Sequence, residues 1–443
     1  MKTRSILLVA LVTWSLPVHA GPDLTRRFDY DLELVNLFVW KNDGDFDRSK
    51  PLYDAHGQTE AFLATFLHPF LHARVGEVLH FFYETEIGMD LWSERNPDHW
   101  LGLEGSRALS MKQREIWGEL TYEGWIVKAG FQRMVDVSGL FVNHWIGAAR
   151  VGYGDRDGSH VLLSVGQLPD QTHEGWTWGE TFGNFNTDVL LGCLDGAWRW
   201  SDVLALHGGA YFLHDASRVG MPRDLGAAGL RLAAGGGPAW AASLSFITQF
   251  GRTRGAAGDR GDQEIFTWAA EASGRWTRGM VTLRGALLAM SADDVDDTND
   301  ALGFIWSGKR AAQSVLLSEN ELRDIGDNVD ERIAVYDGFF WEARTGMLSA
   351  DLGLWLDPLP WLTAGLASEV LLTLNPDTAL GGHLVGWETA LHLDAHILEG
   401  MFQVHAVGGV LLPGKAGAAL VNGIDSGATA PVGFTQVALI MRF

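Results

Sequence analysis

Residues 434–443, FTQVALIMRF, end the chain on an aromatic. Thr435, Val437, Leu439, Met441 and Phe443 fall on one face of an extended strand, and Gln436, Ala438 and Arg442 on the other. An apolar face alternating with a less apolar one, finished by Phe443, is the closing strand of a transmembrane β-barrel of the bacterial outer membrane. A soluble β-sandwich can end in the same way, so the opposite end of the chain carries weight. Residues 1–20 begin with Lys2 and Arg4, continue through the 14-residue run SILLVALVTWSLPV and offer a small-residue cleavage site at Val18-His19-Ala20. This is the pattern of a secretory signal peptide, which leaves Gly21 as the first mature residue. The run is too short for a membrane anchor, since a helix needs ~20 apolar residues to cross hydrocarbon.

An exported chain of 443 residues with one cysteine, Cys193, has no internal disulfide framework, so a large core or a closed sheet must hold it. The formal charge of −22 argues against nucleic acid or an anionic surface as partner and is compatible with a cell-surface protein. The 54 glycines suit curved sheets in which backbones bend or approach closely, and the 19 tryptophans suit membrane-interface girdles. No linker or charge block divides the chain, and one domain follows residue 20.

Period-2 alternation recurs in segments of about 9 to 15 residues, the length a tilted membrane strand requires. Between Leu79 and Leu91, Phe81, Tyr83, Ile87 and Met89 share one face, and His80, Glu84, Glu86, Gly88 and Asp90 share the other. Short turns such as Glu123-Gly124, Gly235-Gly236-Gly237 and Arg278-Gly279 alternate with long polar loops, the periplasmic and extracellular asymmetry of outer-membrane barrels. The expected fold is a single all-β, antiparallel transmembrane barrel over 21–443 with eighteen strands, sixteen being the alternative count. The protein then resides in the outer membrane of a Gram-negative bacterium, with lipid around it, both termini periplasmic and a monomeric state expected. A barrel of that width holds an aqueous pore unless something fills it.

The longest insertion, about 291–344, is read as an extracellular or lumen-covering loop. Asp293, Asp294 and Asp296 are weak calcium candidates, because oxygen ligands suit that ion but the spacing matches no EF-hand. A solvated acidic loop is the stronger reading. The following apolar stretch predicts a short helix near 310–323 and a constriction or lid in which Arg310, Leu316, Glu319, Glu321 and Arg323 gate the pore. A loop packed on its neighbours outside the lumen weighs equally.

REIWGELTYEGWIVKAGFQRMVDVSG (114–139) and GWETALHLDAHILEGMFQVHAVGGVLLPGKAGAAL (386–420) resemble hairpins of the alginate-export type of outer-membrane porin. That resemblance implies an exopolysaccharide channel served by periplasmic polysaccharide-export proteins and an inner-membrane co-polymerase. Strand parity departs from it. The inward basic residues are Lys128, Arg150, Arg231, Arg275, Arg284 and Arg442. The inward acids are more numerous: Asp29, Asp31, Glu33, Glu84, Glu86, Asp90, Glu115, Glu119, Asp188, Glu271, Asp351, Glu369, Glu388 and Asp394. A net negative lumen repels a polyuronate, so the expected polymer is neutral or weakly charged, with Trp117, Tyr211 and Trp355 available to stack on sugar rings.

Enzyme chemistry has little support. Cys193 reads as a lipid-facing filler beside Leu191 and Leu194, and neither a His-Glu-x-x-His nor a Gly-x-Ser-x-Gly motif is present. No cofactor is implied. His392, Asp394 and His396 share an inward face, but their spacing of about 7 Å is awkward for one metal ion. The alternative function is a diffusion or substrate-specific uptake porin for small solutes. Loop 136–144 reads as too short for the inward constriction such a porin carries, which favours the exporter.

Overall fold

Tyr122 and Trp125 face each other across a two-residue turn in which Glu123 (φ 49°) and Gly124 (φ 80°) both take left-handed backbone. That conformation matches the twist of the strands it joins. The computed structural model describes residues 26–41, 60–90, 110–155, 158–168, 176–177, 189–216, 223–253, 263–292, 303–307, 317, 335–336, 341–343, 346–374, 382–422 and 429–443. The signal-peptide segment, Asp188, the calcium candidates Asp293, Asp294 and Asp296, the gating residues Arg310, Leu316, Glu319, Glu321 and Arg323, and most of the helix expected near 310–323 lie outside them.

Eighteen antiparallel strands form the wall. The first six are Arg26–Lys41 (β1), Glu60–Val75 (β2), Leu79–Asp90 (β3), Ser110–Tyr122 (β4), Trp125–Val135 (β5) and Asn143–Gly154 (β6). His160–Gln167 (β7), Val189–Arg199 (β8), Leu204–Asp215 (β9), Arg223–Gly235 (β10), Trp240–Thr253 (β11) and Gln263–Arg278 (β12) follow. Val281–Met290 (β13), Met347–Leu359 (β14), Leu362–Leu372 (β15), Leu384–Ile397 (β16), Phe402–Pro413 (β17) and Val432–Arg442 (β18) complete it. Each strand pairs with its sequence neighbours, and β1 pairs with β18 through contacts such as Leu37 opposite Ala438, which closes the barrel.

Period-2 alternation decides the two faces. Outward positions such as Leu230, Leu244, Phe246, Leu352 and Leu391 are apolar and exposed, as hydrocarbon requires. Near the periplasmic turns Tyr122, Trp125, Tyr153, Trp198, Trp240, Trp276 and Trp361 are also exposed, placing an aromatic girdle at the interface. Inward positions alternate with these and carry the polar side chains. Cys193 belongs to this inward set, which corrects its expected lipid-facing placement. It stands opposite Tyr211 and Ser164, and the exposed hydrophobic residues on its strand are Leu190, Leu194 and Trp198.

Among the described residues the wall shows a seam between β4 and β5. β4 and β5 pair only from Ile116–Tyr122 and Trp125–Phe131, and above that level Lys112 and Gln113 pair instead with a two-residue strand, Trp176–Thr177. The Glu115 carboxylate spans the gap: one oxygen accepts the Arg133 backbone N–H and the other accepts the Trp117 indole N–H. At the extracellular rim the helix Lys415–Asn422 (α1) lies against the start of β16. Gly414 and Gly417 permit this, since a Cβ on either would sit 2.0 and 2.1 Å from the carbonyl oxygens of Leu384 and Val385.

Candidate functional site

Among the described residues, two loop segments fold into the lumen. The first, 136–142, is organised by Asp136, whose carboxylate accepts the backbone N–H groups of Ser138 (2.8 Å) and Val142 (2.9 Å) and the Ser138 hydroxyl. Burial pushes this carboxyl above the ordinary carboxylate range, against the downward pull of those donors. The Val137 N–H donates to the Tyr211 hydroxyl at 2.8 Å, and the absence of a side chain at Gly229 makes room for Val137 on β10. Leu140, Phe141 and Val142 are buried as a result. The expectation that this loop is too short to enter the pore is therefore corrected: it needs no length, because its own hydrogen bonds fold it back against β9 and β10.

The second segment belongs to the long late loop. Phe304, Ile305 and Trp306 are each 0% exposed. The inward side chain of Gln249 on β11 clamps Ile305 at both backbone atoms, donating to its carbonyl at 2.6 Å and accepting its N–H at 3.0 Å. Thr267 donates to the same Gln249 carbonyl oxygen at 2.9 Å and fixes the orientation of the amide. Farther along, the Leu317 N–H donates to Glu388 at 2.8 Å. The two segments meet where Ser307 donates from its N–H (2.8 Å) and hydroxyl (3.1 Å) to the Leu140 carbonyl. Gln249→Ala removes the clamp and leaves two buried backbone groups unpaired, each costing about 1–3 kcal/mol. The expected result is rapid current flicker in single-channel records of an otherwise normally assembled barrel.

On the periplasmic side of this constriction the lumen opens into a cavity of about 860 Å³ whose wall includes His160, His207, Arg231, Arg275, Arg284 and Trp355. Arg231 (β10), Arg275 (β12) and Arg284 (β13) are exposed to it and make no ion pair with any described residue. The Arg284 guanidinium lies 5.2 Å from the centroid of the Trp355 ring, and Trp355 itself lies over Gly365.

Of the residues singled out in the sequence, Glu84, Glu115, Trp117, Glu119, Lys128 and Arg150 occupy the lumen side of β3–β6. Trp117 stacks on Phe82 with ring centroids 5.3 Å apart, and the Lys128 ammonium lies 3.6 Å from the Trp117 ring. The side chains of Glu86 and Asp90 are outside the described residues. Glu271 lies on β12, Asp351 on β14, Glu369 on β15, and Glu388, His392 and Asp394 on β16.

Pairing changes the electrostatic reading of this wall. Asp29 bonds Arg74, Glu33 bonds Arg442 at 2.9 Å, Asp195 faces Arg150 at 3.9 Å and Asp394 bonds His405. Glu369 takes the Ser349 hydroxyl, and Glu388 the Leu317 N–H. Counting inward acids by parity gives a negative lumen, whereas many of those acids are engaged in the wall and the uncompensated charges facing the cavity are guanidinium groups.

Solved barrels share this architecture. OccK9 (OpdG) of Pseudomonas aeruginosa superimposes with a TM-score of 0.57 at 13% identity, over 94% of this chain and 98% of that one. The barrel resembles the Occ channels. OccAB2 of Acinetobacter baumannii gives a TM-score of 0.58 at 9% identity over 94% and 98% of the two chains, and P. aeruginosa OpdK, solved with vanillate, gives 0.54 at 12% over the same shares. The fold is therefore that of barrels of the Gram-negative outer membrane, which replaces the exporter resemblance as the structural comparison for this chain. No protein-family model matches the chain, and no curated protein is significantly similar to it.

The likeness corrects the family suggested by 114–139 and 386–420, and with it the exopolysaccharide-export function. Those stretches are the β4–β5 and β16–β17 hairpins, where Gly124 and Gly400 serve tight turns and Gly130 a close backbone approach. Such residues are set by barrel geometry and carry no information about cargo.

Proposed function

We propose that the chain is a substrate-specific uptake porin for small anionic solutes. The observation that carries this reading is the combination of a narrowed lumen with three guanidinium groups, Arg231, Arg275 and Arg284, unpaired in the cavity beneath the narrowing. The inward segments 136–142 and 303–307 leave space for small molecules and obstruct a polymer chain. Fixed cations in a confined, low-dielectric channel concentrate anions and repel cations. Vanillate, the ligand of the structurally similar OpdK, is a carboxylate and illustrates the solute size that suits such a lumen.

The test is the reversal potential of the purified protein in a planar bilayer under a potassium chloride gradient. Chloride preference is expected, and the triple substitution R231A/R275A/R284A is expected to abolish it. A wild-type channel that prefers potassium would remove the reading.

A further inference from the structure

We propose that Arg275 and Arg284 act as one clamp for a doubly charged oxyanion, the phosphate group of a small phosphate-bearing solute; this rests on the uptake reading and adds a solute class to it.

The two arginines are directly opposite each other in the β12–β13 ladder. Directly opposed residues hold their Cβ atoms about 4.5–5.5 Å apart, a distance at which like charges destabilise a sheet. The wall offers them no relief, because neither forms an ion pair with a described residue and the ring of Trp355 is the one described partner of Arg284. Other inward arginines, Arg74, Arg150, Arg223 and Arg442, each lie within ion-pair distance of a carboxylate.

On β11, β12 and β13 the inward neighbours of the pair are small, while on β14 Trp355 stands opposite Thr282 and Asp351 opposite Ala286. Ser273 faces Ala286 on one flanking rung and Thr277 faces Thr282 on the other, while Ala241 stands beside Arg275 on β11. On β12 and β13 nothing bulky screens the guanidinium groups from the cavity, of the two arginines Trp355 packs against Arg284 alone, and the hydrogen-bonded Ser243 and Ser273 hydroxyls, 2.8 Å apart, leave one donor at the wall.

Charge and donor count select the guest. A monocarboxylate satisfies one guanidinium fork and leaves the second cation uncompensated. A phosphate dianion brings two charges and three acceptor oxygens into one compact tetrahedron, so each fork receives oxygens and both charges are matched.

Inorganic phosphate serves as the probe, added to the periplasmic side of single channels carrying chloride at pH about 8, where the group is doubly charged. Half-block by phosphate is expected at a concentration about tenfold or more below that for acetate, with R275A and R284A each erasing that margin. R275K and R284K retain the charge without the planar fork, and are expected to recover less than half of the margin; full recovery would reduce the pair to a general positive field and overturn the clamp. Equal block by acetate and phosphate would also overturn it while leaving anion uptake intact. Stronger block by succinate than by phosphate would reject the compact tetrahedral guest. Potassium preference of the wild-type pore would strike the uptake reading itself, a different failure. Heat-modifiable migration on gels confirms that each variant has assembled before its currents are compared.

Discussion

A chain in which Phe304, Ile305 and Trp306 are replaced together by glycine is expected to carry several times the wild-type current. These three side chains are wholly buried inside the barrel although they belong to a loop. They fill the lumen beside β11, and the Gln249 clamp on the Ile305 backbone holds them there. Glycine preserves the clamped backbone and removes the volume. The remaining obstruction is then 136–142, and an eighteen-strand wall is wide enough for a broad aqueous pore. Planar-bilayer conductance is the measurement. Unchanged conductance would mean that the narrowest point lies elsewhere and that 304–306 is only filler. Selectivity should survive the change, because Arg231, Arg275 and Arg284 stand below the excised volume.

Gly130→Ala is expected to prevent assembly of the barrel. Gly130 has φ +134°, a region that costs a residue with a side chain about 1–3 kcal/mol. Space is the harder obstacle: a Cβ would lie 2.2 Å from the Ile116 carbonyl oxygen and 2.7 Å from the Trp117 Cα, both main-chain atoms of β4. No rotamer change relieves that contact. The clash falls at the last rungs where β4 and β5 still pair, just below the gap that Glu115 spans, so the seam would be forced open from its end. Loss of the fast-migrating folded band on unheated gels is the readout. Gly118→Ala, whose Cβ would meet nothing within 4 Å, is the matched control and should assemble normally.

Much of the fold was legible because a two-sided wall writes period 2 into the chain. The eighteen expected strands correspond to the eighteen observed, and the turn residues fall where left-handed backbone is needed, as at Gly124 and Gly279. Parity failed where both faces are apolar. Around Cys193 the inward side packs against the buried Phe141–Tyr211 region as a soluble core would, so Leu191 inward and Leu190 outward are indistinguishable in sequence.

Sequence reading expects the late loop to cover or constrict the lumen, but not the inward fold of 136–142, nor which residues of the late loop fill the pore. The signal lies in two runs of bulky apolar residues, Leu140-Phe141-Val142 and Phe304-Ile305-Trp306, inside polar connections, and not in loop length or charge. An apolar triplet in a water-facing loop has to be buried somewhere, and the lumen was available. The sign of the cavity field was illegible for a different reason. Parity reports which side a charge faces and says nothing about which carboxylate on the next strand has already claimed it.

The meeting of Ser307 with the Leu140 carbonyl joins residues 167 positions apart in the chain. Neither loop segment has this partner while the wall between them is incomplete. The filter is thus a property of the assembled wall and not of either loop: it exists only once the strands from β6 to β13 have brought the two segments to the same level of the lumen.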